Sequence, residues 1–335
     1  MNIPLSIASY WIKYLNPQLA LLTQPIQGWF YTVSPQGELT INLIALIVLG
    51  LAMGFLAGCF GVGSGFLMAP LLNLFGNIPF NVAIGSDLTY MVGSATIANL
   101  RQRAVGYVDY KLGLLLFLGS ALGVEVGAQF LELLKYAGKV SLLGHRSDLM
   151  QLTMTAVYAL MLGWIGTTVY RETWAIRRLK TGVPAPAPPA VAVGSRLQTI
   201  SLPPMVALPV SGVEAISLWL ILGVGFVSGL LTGFLGVSGA FIRMPALIYV
   251  LGVPTVVSLG TNLFELLILA LYGALTHSLK GNVDLILVMI LLITTTVGNQ
   301  LGVLLQTKIV GWRSLLLYTA IIFSTILFLL LKLIS

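Results

Sequence analysis

Long uninterrupted runs of apolar residues dominate the hydropathy pattern of this chain. A helix needs roughly 20 apolar residues to cross about 30 Å of hydrocarbon. Eight runs come close to that length: residues 41–57, 82–100, 112–131, 152–170, 215–231, 256–276, 285–305 and 314–333. They are continuous, whereas barrel strands alternate apolar and polar residues. The pattern predicts an all-α polytopic transmembrane helical bundle of about eight to ten membrane segments, two of them short or broken.

Composition supports this class of protein and excludes several functions. Apolar residues make up 58% of the chain and charged residues 8%, against roughly 25% charged residues in a soluble domain. The net charge of +7 comes mostly from Lys and Arg between the spans, as is usual in membrane proteins, so we expect a lipid bilayer and no nucleic acid as partner. One Cys and two His offer no metal-ligand cluster, and we expect neither a metal nor a cofactor.

An internal repeat relates the two halves of the chain. Residues 58–127 align with residues 233–302 without a gap, at a constant offset of 175. Apolar composition alone does not explain the matched Gly and Pro residues, which shape the backbone. The matches include Gly58 with Gly233, Gly61 with Gly236, Pro70 with Pro245, Pro79 with Pro254, Gly85 with Gly260, Gly106 with Gly281, Gly123 with Gly298 and Gly127 with Gly302. The sequence therefore predicts two homologous transmembrane units.

The repeat divides the chain into four segments. They are an N-terminal interfacial segment (1–38), a first transmembrane repeat (39–170), a Pro-rich cytoplasmic linker (171–212) and a second transmembrane repeat (213–335). Trp29, Phe30 and Tyr31 are typical of the membrane surface, and we expect a short interfacial helix there. The prolines between Pro184 and Pro189 exclude a continuous helix in the linker.

The membrane topology depends on the short segments 62–75 and 237–250. If they cross the bilayer, each unit has five passes and the units are inverted; if they are re-entrant, four passes make the units parallel. We favour inverted units. The loops 101–111 and 171–196 share one side and together carry eight Lys or Arg residues, which the positive-inside rule places in the cytoplasm. We expect a multi-pass protein of the plasma (inner) membrane.

Gly-rich breaks interrupt the helices at the same place in each unit. The sequence is Gly-Cys-Phe-Gly-Val-Gly-Ser-Gly over residues 58–65 and Gly-Phe-Leu-Gly-Val-Ser-Gly-Ala over residues 233–240. Paired breaks at membrane depth point to a transport site, and free N–H groups before a helix favour anions. The alternative is that these glycines only let helices pack closely.

A second pair of helix breaks is predicted just after Pro79 and Pro254, at the polar triplets Gly85-Ser86-Asp87 and Gly260-Thr261-Asn262. Their side chains suit either helix N-capping or a binding cavity, and one residue can serve both roles. Asp87 stands opposite Asn262 in the repeat. If both line the cavity, only the first unit can therefore carry a proton at this position.

Ionisable residues inside spans are functional candidates by default. Arg243 replaces Met68 of the first unit, and a guanidinium can hold an oxyanion bidentately. Glu125 and Glu265 are further candidates for protonation, although pairing or snorkelling to the interface explains such residues equally well. Arg101, Arg103 and His277 close the ends of spans and are interpreted as ordinary interface charges.

The candidate site residues fall into two groups, and none is predicted to be catalytic. The predicted substrate-binding residues are Gly61, Gly63, Ser64, Gly65, Ser86, Asp87, Gly236, Ser238, Gly239, Arg243, Thr261 and Asn262. The predicted coupling residues are Asp87, Glu125 and Glu265.

With these residues in view, the chain resembles the TauE/SafE family of sulfite exporters, also called the 4-toluene sulfonate uptake permease family. The resemblance covers about residues 40–335. It rests on the Gly-rich break followed by Phe66, Leu67 and Pro70, on the string Pro79, Ala83, Gly85 and Ser86, on the sequence Gly-Tyr-Val-Asp at 106–109, and on recurrence of the pattern in the second half. It implies a secondary carrier for sulfite, sulfonates or related small organic anions. Ser238, Ala240 and Arg243 depart from the first-half motif and weaken any substrate assignment.

The leading hypothesis is therefore a secondary transporter of a small anion that works by alternating access at the two breaks. The alternatives are an anion channel and an accessory membrane protein. A membrane-embedded enzyme would need a nucleophile and base constellation, which His145 and His277 do not provide, so we expect no enzyme. The sequence does not indicate the substrate, the direction of transport, the coupling ion or the oligomeric state, and a homo-oligomer stays open.

Overall fold

The computed structural model describes residues 29–34, 37–60, 65–102, 108–136, 139–142, 145–180, 202–309 and 312–334. Ten α-helices lie within these residues, and this confirms the predicted all-α bundle. They are α1 (Leu43–Phe60), α2 (Gly65–Gly76), α3 (Phe80–Gln102), α4 (Tyr110–Tyr136), α5 (Leu149–Lys180), α6 (Leu218–Leu235), α7 (Ala240–Pro245), α8 (Thr255–Leu279), α9 (Leu285–Ile309) and α10 (Trp312–Ile334). A π-helical turn, Ala246–Val250, continues α7.

Three short antiparallel hairpins accompany the helices. They pair β1 (Trp29–Ser34) with β2 (Gly37–Asn42), β3 (Lys139–Leu142) with β4 (His145–Asp148), and β5 (Met205–Leu208) with β6 (Val213–Ser217). The first hairpin holds Trp29, Phe30 and Tyr31, so the interfacial helix expected there is wrong for these residues. Their alternating β-branched and aromatic side chains suit strands. Residues 1–28 lie outside the described part of the chain.

The two units share one backbone path. Helices α1 to α4 begin at residues 43, 65, 80 and 110, and helices α6 to α9 begin at residues 218, 240, 255 and 285. Each of these starts differs from its partner by the 175 residues found in the sequence. Hairpin β1–β2 also precedes α1 as β5–β6 precedes α6. The duplicated backbone therefore begins before the first span.

Helices α3 and α8 are continuous through the second pair of polar triplets. They begin at Phe80 and Thr255, directly after Pro79 and Pro254, because a proline is well tolerated at a helix start. The expected break at residues 85–87 and 260–262 is therefore wrong. Gly85 serves a different purpose, since a Cβ atom there would lie 2.8 Å from the backbone carbon of Asn282. Its glycine lets the loop between α8 and α9 approach α3.

Glycine stripes bring the two units together. Along α6, Gly225, Gly229 and Gly233 face α4, and a Cβ at any of them would collide with backbone atoms near Leu116, Ser120 or Val124. Along α1, Gly50, Gly54 and Gly58 face α9 in the equivalent way, against Thr294, Thr295 and Asn299. Small residues four apart allow this backbone contact in membranes. Each unit therefore packs its first helix against the fourth helix of the other unit.

Helices α3 and α8, which are equivalent in the repeat, pack against each other in opposite directions. The Asn99 amide near the end of α3 donates to the Leu263 carbonyl near the start of α8, at 2.6 Å. At the other end of the contact, Leu88 near the start of α3 lies against Gly273 in the second half of α8. This crossing pair is the centre of the molecule. Whether the units are inverted relative to the bilayer stays a prediction.

The outer surface fits an integral multi-pass membrane protein. Within the described residues, six helices are long and apolar enough to cross a bilayer, and exposed apolar side chains follow their outer faces. Along α4 they recur every three or four residues, at Leu114, Leu118, Leu122, Val126, Phe130 and Leu133. A water-soluble helix would bury such a stripe, so this face suits lipid. The described ends of the predicted linker are ordered, since α5 continues to Lys180 and β5 begins at Met205, while residues 181–201 lie outside the described part.

The helix crossing gives a first prediction. Gly229→Ala places a methyl group about 2.6 Å from the backbone carbon of Ser120, so α4 and α6 must separate. We expect a loss of about 1–3 kcal/mol in the free energy of unfolding, measured by reversible unfolding in mixed detergent. Gly223→Ala on the same helix is the control, since nothing lies within 4 Å of its added carbon. Equal stability of the two variants would contradict the close crossing.

Candidate functional site

The Gly-rich break of the second unit is a sharp turn inside the protein. Helix α6 ends at Leu235, and Gly236 then adopts φ +67°, a left-handed conformation in which its N–H bonds the Thr232 carbonyl at 2.9 Å. Gly239, at φ +64°, ends the turn before α7. Glycine adopts such angles without strain. These two predicted residues are therefore required by the backbone itself.

The described parts of the two breaks lie side by side. A Cβ atom on Gly65, the first residue of α2, would lie 3.3 Å from the Ser238 backbone nitrogen in the other break. Gly61, Gly63 and Ser64 lie outside the described residues. Ser238 itself is 3% exposed, and its hydroxyl has no hydrogen-bond partner among the described residues. A buried hydroxyl of this kind is unusual and suits a ligand.

Arg243, one turn into the short helix after this break, lies at the centre of a buried polar cluster. Its guanidinium forms an ion pair with Glu265 of α8. Its Nε–H donates to the Asn262 side-chain oxygen at 2.8 Å, and its Nη2 donates to the Ser238 carbonyl at 3.2 Å. The Ser120 hydroxyl of α4 donates to the other oxygen of Glu265 at 2.7 Å. Elements α4, α7, α8 and the break thus converge on one guanidinium.

Burial makes this pair energetically unusual. Both side chains are 0% exposed, and Arg243 is the one Lys or Arg that is fully buried among residues whose burial the structure describes. Desolvation of two charges is costly, and a buried pair often adds no stability over apolar residues of similar volume. The first unit has Met68 and Tyr90 at the equivalent positions. The charges are therefore not required by the repeated fold, and this favours a functional role.

Asp87 of the first unit is the second buried acid near the centre. It is 0% exposed. Tyr90, about one turn along α3, is its hydrogen-bonding neighbour, and the phenol of Tyr158 on α5 interacts with it electrostatically. Asn262, its equivalent in the second unit, bonds Arg243 instead. The two halves of the site have therefore diverged.

Ser86 and Thr261 have an architectural contact that the repeat reproduces. The backbone N–H of Asp284 donates to the Ser86 hydroxyl, and that of Asp109 donates to the Thr261 hydroxyl, both at 3.0 Å. Each aspartate also caps its helix, with Leu112 N–H bonding Asp109 and Leu287 N–H bonding Asp284. Each hydroxyl therefore holds the start of the fourth helix of the other unit. The sequence pattern indicated N-capping or a binding cavity and did not predict this contact.

Glu125 lies apart from the Arg243 cluster. It forms an ion pair at 3.1 Å with Lys280, directly after α8, and its side chain is 37% exposed. This is the pairing that the sequence left open, and its coupling role stays a prediction. His277, interpreted as an interface charge, is instead fully buried, with Nε2 3.1 Å from the Gly233 carbonyl. No sequence signal distinguishes these two outcomes, because exposure and burial depend on which neighbouring helices pack against each residue.

The structure thus brings together Ser238, Arg243, Asn262 and Glu265, and sequence reasoning missed Ser120. Gly65 and Gly236 lie beside this cluster, where the two breaks meet. Gly236 also packs against Ile84 of α3. Among the described residues there is no group of His, Cys, Asp and Glu side chains arranged to hold a metal ion. The arrangement can bind an anion through one fixed guanidinium with neighbouring hydroxyl and amide groups.

The family model described as "Sulfite exporter TauE/SafE" matches residues 45–333. This match covers both units and all ten helices except the first two residues of α1 and the last residue of α10. The chain belongs to the TauE/SafE family, and the resemblance seen in the sequence is confirmed. It is a multi-pass membrane transporter and not a member of an enzyme family.

Curated relatives agree with this class. The chain is 24% identical to the "Probable membrane transporter protein YunE" of Bacillus subtilis, over 80% of this chain and 90% of the relative. It is 25% identical to a "Probable membrane transporter protein" of Xylella fastidiosa, over 82% of this chain and 89% of the relative. Identity reaches 32% with "Sulfite exporter TauE/SafE family protein 6" of Arabidopsis thaliana, over 32% and 26% of the two chains. No solved structure matches the chain.

The buried pair gives a second prediction. Arg243→Met leaves an uncompensated carboxylate in the core, and Glu265→Gln leaves an uncompensated guanidinium. We expect each single variant to lose about 3–5 kcal/mol of unfolding free energy. The double variant should lose far less than the sum, because no buried charge remains. Additive effects in this double-mutant cycle would contradict direct pairing of the two side chains.

Proposed function

We propose that this transporter carries a small sulfur oxyanion, such as sulfite or a sulfonate, and binds it at Arg243 between the two Gly-rich breaks. The observation that carries the proposal is a fully buried guanidinium beside a buried serine hydroxyl that has no partner among the described residues. Charges and unsatisfied polar groups at membrane depth are costly. A ligand that satisfies both explains why they are retained.

The chemistry of Arg243 suits an oxyanion. A guanidinium presents parallel N–H donors that match carboxylate and other planar or tetrahedral oxyanions bidentately. Asn262 and Ser238 fix its orientation from two sides, so the fork is held in place before a ligand arrives. The names of the family model and of the Arabidopsis relative both contain sulfite, and they favour sulfite among such anions.

We further propose alternating access with the two units inverted relative to the bilayer. Equivalent helices that pack in opposite directions, as α3 and α8 do, support an axis in the membrane plane. The breaks meet beside this pair, between the parts that would have to rock against each other. A continuous channel is the alternative, and saturable exchange of one anion for another would separate the two. We place the protein in the plasma membrane.

Uptake into proteoliposomes tests the site. We expect saturable uptake of radiolabelled sulfite, sulfate, thiosulfate or a simple sulfonate by the unaltered protein. The Arg243→Met/Glu265→Gln double variant should lose it at least tenfold, about 1.4 kcal/mol or more, since it keeps the fold but lacks the guanidinium.

The control removes the peripheral pair of Glu132 and Lys135, which lie 3.1 Å apart with side chains about one-fifth exposed. Glu132→Gln/Lys135→Met should transport normally. Full uptake by the Arg243→Met/Glu265→Gln variant would remove the proposed site. Absence of flux for every anion in the unaltered protein would favour the accessory role.

Cysteine labelling tests the inverted arrangement. In a Cys59→Ser background, Asn77→Cys probes the loop between α2 and α3, and Thr255→Cys, at the first residue of α8, probes the same end of the equivalent helix; both positions are exposed. With the basic loops in the cytoplasm, a membrane-impermeant maleimide added to intact cells should label Asn77→Cys and label Thr255→Cys only after permeabilisation. Labelling of both variants from the same side would mean parallel units.

A further inference from the structure

The Glu265 carboxylate occupies the place that an anionic substrate needs. It pairs with the guanidinium of Arg243, and its other oxygen accepts the Ser120 hydroxyl. A carboxylate and a sulfonate recognise guanidinium N–H groups in the same way. As long as Glu265 is charged and in place, the buried cluster has no net positive charge to offer a second anion.

We propose that Glu265 is a built-in competitor of the substrate, and that uptake of one proton by its carboxylate releases Arg243 to bind the anion. The inference rests on the proposed anion site and deepens it by naming the coupling ion. The proton comes from the aqueous phase, adds to a carboxylate oxygen of Glu265, and leaves Arg243 charged throughout. One proton and one singly charged anion, such as a sulfonate, then cross together, so the site stays neutral in both its empty and loaded forms.

Charge balance in the bilayer favours this exchange over simple anion addition. An anion bound beside an intact Arg243–Glu265 pair would leave a net negative charge at a site where both side chains are fully buried, and such a charge is costly. Replacing one carboxylate by one anion of the substrate avoids that cost. The Ser120 hydroxyl can accept a hydrogen bond from the protonated carboxyl group of Glu265, because a hydroxyl serves as donor or acceptor.

Titratable groups near Glu265 come from the elements that pack against α8. Arg243 and Ser120 are the described polar side chains that contact Glu265. The packed helix α6 carries no ionisable residue, and the π-helical turn contributes Tyr249. Helix α8 itself carries Tyr272 and His277. The titratable groups with described side chains on α3 and α4 are Asp87, Tyr90, Tyr110, Lys111, Glu125, Glu132, Lys135 and Tyr136. Asp109, directly before α4, contacts α8 through Thr261.

Asp87 is the rival coupling residue. It is equally buried, but no contact among the described residues links it to Arg243, whose partners there are Glu265, Asn262 and Ser238. Protonation of Asp87 would therefore leave the guanidinium still paired with Glu265. The geometry favours Glu265 because one protonation event there both removes a charge and opens the anion-binding edge of Arg243.

Equilibrium dialysis of radiolabelled methanesulfonate against purified protein tests the exchange. This probe keeps its charge from mildly acidic to mildly alkaline pH, so any pH dependence belongs to the protein. We expect its affinity to rise about tenfold for each unit by which pH falls, until Glu265 is protonated in the free protein, as linkage to one proton requires. In weakly buffered solution, the unaltered protein should take up one proton for each anion bound.

Variants separate the candidates. Glu265→Gln should bind methanesulfonate tightly at every pH, without proton uptake, because the competitor charge is gone. Asp87→Asn, which installs the second-unit residue, should keep the pH dependence of the unaltered protein. Binding of the anion should itself raise the thermal stability of Glu265→Gln, since it pairs the uncompensated guanidinium. Proton uptake by the unaltered protein tests the proposal even if this variant does not fold.

Each outcome has a separate meaning. Binding that requires Arg243 but is independent of pH, with no proton uptake, would overturn the role of Glu265 and leave the anion site standing. Loss of pH dependence in Asp87→Asn and its retention in Glu265→Gln would assign the proton to Asp87 instead. If neither methanesulfonate nor sulfite and sulfate used in its place bind to the unaltered protein at any pH, the proposed function fails together with the inference.

Discussion

A charge that cannot reach water must be neutralised where it lies, and this constraint determines how the centre of the molecule is built. The Arg243 guanidinium is fully buried, so every polar group that contacts it has a defined task. Glu265 neutralises its charge, while Asn262 and the Ser238 carbonyl hold its orientation. Ser120 in turn fixes Glu265. Five residues from four parts of the chain are therefore coupled through one cation.

The duplicated scaffold makes this convergence possible. Glycine stripes on α1 and α6 let the first helix of each unit pack closely against the fourth helix of the other. Hydrogen bonds from the Asp109 and Asp284 N–H groups hold these fourth helices in register. The two breaks then meet where α3 and α8 cross. Close backbone contact also leaves little room for small adjustments, so motion at the site would involve whole helices. This is the mechanical basis of the proposed alternating access.

Sequence reasoning predicted the repeat and its offset of 175 residues, which relates the first residues of the equivalent helices, because Gly and Pro determine the backbone locally. It also identified Arg243 as a departure from the repeat. The pairing of Arg243 with Glu265 was beyond it, since the two residues lie 22 positions apart on separate helices. The hairpin at residues 29–42 was also missed, since aromatic residues at a membrane surface suit strands and interfacial helices alike. The burial of His277 depends on helix packing that apolar periodicity does not encode.

The two units have diverged at the site, so a symmetric fold carries different polar groups at equivalent positions. The first unit keeps Met68, Asp87 and Tyr90 where the second has Arg243, Asn262 and Glu265. A crystal structure of the protein with selenite, a heavier analogue of sulfite, tests this account most directly, because selenium can be located by its anomalous scattering. We predict one selenium peak within hydrogen-bonding distance of the Arg243 guanidinium, with Glu265 displaced from it. Selenium bound elsewhere in the bundle, with the Arg243–Glu265 pair intact, would contradict the central claim.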